Sequence, residues 1–184
     1  MFALQKSKDM KKCGFIVFLI FLLLSCTSYD NNTGSGNHVA PRIKKQIMGV
    51  AVDYTREKFK DAQQSVLKDG TIRIGDNQVM YIIDPARIVK GLIDNDANED
   101  AIVTIYSYKG KFLVKTEHLI LINTEGKLKL ARVIESDMKI MGIKDKIIFA
   151  EISKFPSDSP AYGCAICKEV VKYQFKDGNL VKIE

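Results

Sequence analysis

From Thr71 to Ile183 the chain is cut into short apolar or alternating runs, and the joints between them leave little choice of arrangement. Residues 71–74, 79–83, 101–108, 118–123, 127–135, 139–143, 146–152, 170–175 and 180–183 read as strands. Thr124-Glu125-Gly126, Lys144-Asp145 and Asp177-Gly178 stand between runs and suit tight turns. A parallel crossover takes a dozen residues or more, so neighbours joined this closely must pair antiparallel. Residues 87–93 read either as a further strand or as a turn of helix.

Upstream the period changes. Pro41 suits a first helical turn. Met48, Val52, Thr55, Phe59, Ala62 and Val66 recur at spacings of four and three, while charged residues fall largely elsewhere. The pattern predicts an amphipathic helix of about 25 residues ending at Lys68-Asp69-Gly70. A stripe of this width more often covers a sheet than a membrane or a partner helix. One long N-terminal helix packed on a meandering antiparallel sheet is an α+β fold. Residues 41–184 are long enough for a single domain with its own core.

The segment before the helix has a different composition. Lys11 and Lys12 precede an unbroken apolar run from Gly14 to Leu24, about half the ~20 residues a membrane-spanning helix needs. A positive flank, a short apolar core and a small residue at its end read as a secretory signal. The run closes on Leu23-Leu24-Ser25-Cys26, which resembles the lipobox of bacterial lipoproteins. That resemblance implies that residues 1–25 are removed and that Cys26 becomes a lipidated first residue, bearing diacylglycerol and a fatty acyl group such as palmitate. Two or three acyl chains hold stably where one exchanges. The membrane would then be a partner through the N-terminal lipid. The expected location is the bacterial cell envelope, at the outer membrane, on its periplasmic or outer face.

Residues 27–40, rich in Ser, Thr, Asn and Gly, read with Cys26 as a flexible tether. The leader holds Lys6, Lys8, Lys11, Lys12 and Asp9, so its removal lowers the formal net charge from +6 to +3. The basic balance is thus partly a property of the leader. The chain has no tryptophan and no basic stripe interleaved with aromatics, so nucleic acid is not an expected partner.

Carboxylates gather in Gly91-Leu92-Ile93-Asp94-Asn95-Asp96-Ala97-Asn98-Glu99-Asp100-Ala101, just before a strand. Alternating oxygen ligands on a tight loop suit Ca²⁺, which takes six to eight hard oxygens. Asp94, Asp96 and Asp100 are the candidate ligands; a solvated acidic turn is the plainer reading. The stretch is similar to the loop Gly-Asp-Leu-Asp-Gly-Asp-Gly-x-Glu-Asp-Ala found in small bacterial envelope lipoproteins of uncharacterised function. Gly91, Asp94, Asp96, Glu99, Asp100 and Ala101 match it. Leu92 replaces its first Asp, and Asn95 and Ala97 replace its glycines. The resemblance continues through residues 135–140 to a C-terminal cysteine segment, filled here by residues 157–167, and implies no activity.

Cys164-Ala165-Ile166-Cys167 supplies the two thiols left after leader removal and acylation. In an oxidising envelope a pair this close commonly forms a structural disulfide. A redox Cys-x-x-Cys wants its first thiol at a helix N-terminus, whereas residues 168–175 look like a strand. Zinc wants about four ligands, and the chain adds only His38 and His118. His118, beside Glu117, is a possible general base but more commonly a packed strand residue. Tyr106, Tyr108 and Tyr162 suit either a sugar platform or ordinary sheet positions. No nucleophile elbow, phosphate-cradling glycine loop or His-Glu-x-x-His occurs.

The chain therefore reads as a lipid-anchored envelope protein with a binding or structural role and no catalytic site or cofactor. The alternatives are a thiol–disulfide protein using Cys164 and Cys167, or a calcium-binding module using the loop at 94–100.

Overall fold

The computed structural model describes residues 41–59 and 61–183. The leader, Cys26 and the tether with His38 lie outside the described residues. Helix α1 spans Pro41–Lys58. Proline in the first turn sacrifices no helical hydrogen bond, and Arg56 and Lys58 in the last turn suit the negative end of the helix dipole. Ile47, Ala51 and Thr55, four apart, form its fully buried stripe. The Thr55 hydroxyl donates back to the Ala51 carbonyl at 2.8 Å. Beyond Lys58 the Phe59 N–H is shared between the carbonyls of Thr55 and Arg56, and its ring meets that of Tyr81 edge-on at 5.7 Å.

Ten strands follow: β1 (Gln63–Val66), β2 (Ile72–Gly75), β3 (Val79–Gly91), β4 (Asp100–Lys109), β5 (Phe112–Thr124), β6 (Lys127–Glu135), β7 (Lys139–Lys144), β8 (Ile147–Ser153), β9 (Lys168–Lys176) and β10 (Asn179–Ile183). They make two antiparallel meanders, one of six strands in the order β1-β2-β3-β4-β5-β6 and one of four in the order β10-β9-β8-β7. Pro85, which has no N–H to give a ladder, sits where the β3–β4 register shifts between Ile83 and Ile88.

Successive strand residues face opposite sides of a sheet, and in β4 both sides are covered. Ala101, Val103 and Ile105 pack with Ile47 and Ala51 of α1. Ile102, on the other face, joins Ile120 of β5 and, from the second sheet, Ile148. The large sheet is thus the middle of three layers, helix, sheet and sheet. The two sheets approach closely where Gly91 of β3 meets β7: a Cβ there would lie 2.7 Å from Ile143 Cβ.

The α+β expectation is corrected here. Among the described residues the protein is mostly β, with two sheets and one helix, of 18 residues. The helical period ran on through Ala62 and Val66 by coincidence of spacing. Gln63–Val66 instead pairs with β2, and Val66 is exposed. Lys68-Asp69-Gly70 is the turn of that hairpin. Gly70 takes φ 86°, and the Asp69 carboxylate accepts the Thr71 N–H at 2.9 Å. Asp-Gly before a β-branched run stabilises a hairpin, and pairing with β2 outweighs helix propensity. Residues 87–93, left open above, fall largely within β3.

Candidate functional site

The two sheets, in contact at Gly91 and Ile143, stand apart towards Arg87 and Lys139, four residues back along β3 and β7. A cleft of about 560 Å³ opens there. Arg87, Tyr106, Leu113 and Thr116 line it from the large sheet, Asp137 and Met138 from the link into β7, Lys139 from the start of β7, and Tyr162 from the loop between β8 and β9. A smaller hollow of about 130 Å³ shares Arg87, Tyr106, Met138 and Lys139 and adds Thr104.

The charge of the cleft is unevenly spent. Lys115 at its rim is held by Glu117 at 3.1 Å and Glu135 at 2.8 Å, and hydrogen bonding to Glu135, then to Glu117, pushes its pKa up. Asp137 accepts the Tyr162 hydroxyl at 2.8 Å, which raises the phenol pKa. Arg87 has only a 3.8 Å approach to Asp84. Lys139 makes no ion pair among the described residues. Two cations are therefore available to a ligand, beside an aromatic ring and an apolar wall.

Beneath the cleft His118 is buried, its Nδ1 3.0 Å from the Thr104 hydroxyl and its Nε2 3.1 Å from the Ser136 carbonyl. A carbonyl can only accept, so Nε2 carries the proton and Nδ1 accepts from Thr104. Burial lowers the pKa. Both nitrogens are thus committed to the fold, and the neutral ring joins β4, β5 and the link to β7. Tyr106 and Tyr162 share the cleft, and Tyr108 is not among its lining residues.

No family model, curated protein or solved structure matches this chain.

Asp94 and Asp96 turn their carboxylates to the backbone of their own loop. Asp94 Oδ1 accepts the Asp96 N–H and Asp96 Oδ1 the Asn98 N–H; those Asn98 bonds, side chain first, hold the Asp96 carboxyl below its usual value. Asp100 is buried, taking the Ile93 N–H at 2.7 Å on one oxygen and the Asn123 N–H at 2.9 Å on the other. Burial raises its pKa. Among the described residues no three His, Cys, Asp or Glu side chains converge as a metal site.

The sulfurs of Cys164 and Cys167 lie at disulfide bonding distance, with their Cα atoms 5.1 Å apart. They close a run of turns at residues 156–167, and β9 rather than a helix follows. The Ser153 hydroxyl donates to the Tyr162 carbonyl at 3.0 Å, and Lys154 N–H to the Cys167 carbonyl. The bridge therefore belongs to the loop that presents Tyr162 to the cleft.

Arg87 is far in sequence from Asp137 and Lys139 and meets them only because the second sheet folds back over β3. No local pattern marks them. The hairpin at 109–117 did carry a signal, the Lys109-Gly110-Lys111 turn, but three consecutive apolar residues after it fit neither period.

Proposed function

We propose that this chain is a lipid-anchored cell-envelope protein, not an enzyme, whose β domain binds an anionic small molecule between its sheets. The observation that carries the binding role is the pair Arg87 and Lys139, cations that are weakly paired or, among the described residues, unpaired, lining one cleft with Tyr106. A phosphate or carboxylate satisfies both charges, and the guanidinium offers the bidentate fork such groups favour. Tyr106 offers a flat face to the body of the ligand. A binding rather than catalytic role is favoured because His118 has both nitrogens engaged and Asp137 is held by Tyr162. The anchor rests on Leu23-Leu24-Ser25-Cys26 after the apolar run.

Two measurements test this. Intact-mass spectrometry of the protein from its native host should find a fatty-acylated Cys26 as the first residue; a chain retaining residues 1–25 without acylation refutes the anchor. Thermal shift with glucose 1-phosphate should raise the melting temperature, neutral glucose should do less, and Arg87→Gln with Lys139→Gln should abolish the difference. Equal shifts in the double variant refute the cleft.

A further inference from the structure

We propose that the tip of the β4–β5 hairpin is a second membrane contact, with Phe112, Leu113 and Val114 entering the interface of an anionic bilayer and Lys109 and Lys111 meeting its headgroups. The tip reads Lys109-Gly110-Lys111-Phe112-Leu113-Val114-Lys115. Its three apolar side chains are 78 %, 50 % and 56 % exposed, although Leu113 and Val114 also line the open cleft between the sheets. Scattered apolar residues on a surface are ordinary, but a contiguous exposed group marks something that covers it.

Geometry favours a lipid surface as that covering. Leu113 opposes Tyr108 and Lys115 opposes Ser107, so Val114 is the extra residue of a bulge. Phe112 and Leu113, adjacent in a strand, point to opposite faces of the hairpin. Pairing with β6 begins only at Glu117 and Glu135, so this end of β5 projects beyond its neighbour. A flat protein partner would cover one face and leave the other wet, whereas a fluid interface accepts apolar groups on both. Lys109 and Lys111 make no ion pair among the described residues. Their apolar stems can lie along the inserted tip while the ammonium groups stay at the headgroups, which attract them when anionic.

The inference rests on the lipid anchor only for proximity. Helix α1 begins near the β5–β6 turn, where Gln46 Nε2 donates to the Gly126 carbonyl at 3.4 Å, at the far end of β5 from the tip. The 13 residues of β5 span about 44 Å at ~3.4 Å each. The residues between Cys26 and Pro41 reach at most about 50 Å. That length permits the domain to lie along the bilayer with the tip in contact.

The chain has no tryptophan, so Phe112→Trp provides a single reporter. The full chain carrying it is mixed with vesicles of phosphatidylglycerol and phosphatidylcholine whose acyl chains are brominated. The expected result is a blue-shifted emission that loses most of its intensity to the bromines, with Val114→Asp in the same chain restoring the emission of a wet indole. An acylated chain that floats with the vesicles while its indole stays wet and unquenched overturns tip insertion and leaves the anchor standing. A chain found unacylated refutes the anchor, and the indole still decides the tip. Equal burial on pure phosphatidylcholine overturns the role given to Lys109 and Lys111.

Discussion

Thr104 and His118 are joined across the β4–β5 pair, the hydroxyl 3.0 Å from Nδ1 and both side chains buried. Burial lowers the pKa of the ring below its ordinary 6.5. The unfolded chain therefore takes a proton near pH 6.5 that the folded chain refuses, and this contribution declines as pH falls from there towards the folded value. Urea midpoints measured between pH 7.5 and 5.5 should fall with pH, and His118→Gln should flatten that slope. A slope unchanged by the substitution removes His118 as its source.

Glu117 ties the helix to β5. Its Oε1 receives the Tyr54 hydroxyl at 2.8 Å, Lys58 Nζ at 2.7 Å and Lys115 Nζ at 3.1 Å. Burial alone would raise its pKa, but hydrogen bonds from Lys58, Tyr54 and Lys115 outweigh it and hold the carboxyl low. Glu117→Ala should cost about 1–3 kcal/mol, less than a fully buried pair because both lysines keep some access to water. Lys58→Ala should cost less, since two donors to Glu117 remain. Denaturant titration of the two variants gives the order.

Gly91 is where β3 and β7 touch. A methyl there meets Ile143 Cβ at 2.7 Å and its backbone carbonyl at 3.1 Å, and the carbonyl has little room to yield. Gly91→Ala should destabilise by about 1–3 kcal/mol through overpacking. Gly142, one residue from the contact, has open space at its Cβ position. Its alanine variant should be near neutral, or more stable by up to about 1 kcal/mol. Comparable losses in the two would mean the sheets are not in contact at Gly91.

The Cys164–Cys167 bridge closes a loop of only a few residues, for which chain entropy gives about 2 kcal/mol. Cys164→Ser with Cys167→Ser should lower stability by about that much or less and leave the sheets intact. Its larger effect should fall on the cleft, because the loop carries Tyr162 against Asp137. The thermal shift with glucose 1-phosphate should shrink in the double variant. A fully retained shift separates the bridge from the site.

Strand existence was legible because alternation and turn chemistry are local. The nine runs read from periodicity lie in strands except for their end residues Thr71 and Lys146. The joints at Glu125-Gly126 and Asp177-Gly178 carry the positive φ values that tight turns require, while the joint read at Lys144-Asp145 falls one residue later, at Asp145-Lys146. Where local signals competed, the reading failed. Ala62 and Val66 satisfied a helical spacing, yet the Asp69-Gly70 turn drew Gln63–Val66 into a hairpin.

What the sequence by itself determined, then, is which segments extend, where they turn, and where a lipid-bearing cysteine is expected. Only the tertiary structure decided that the strands divide into two sheets, because that division depends on which faces bury each other. Val103 and Ile102 are equally apolar neighbours, and nothing local says that one meets a helix and the other a second sheet. The cleft follows from the same decision: Arg87 and Lys139 become a pair only when β7 crosses β3 at a glycine small enough to let it.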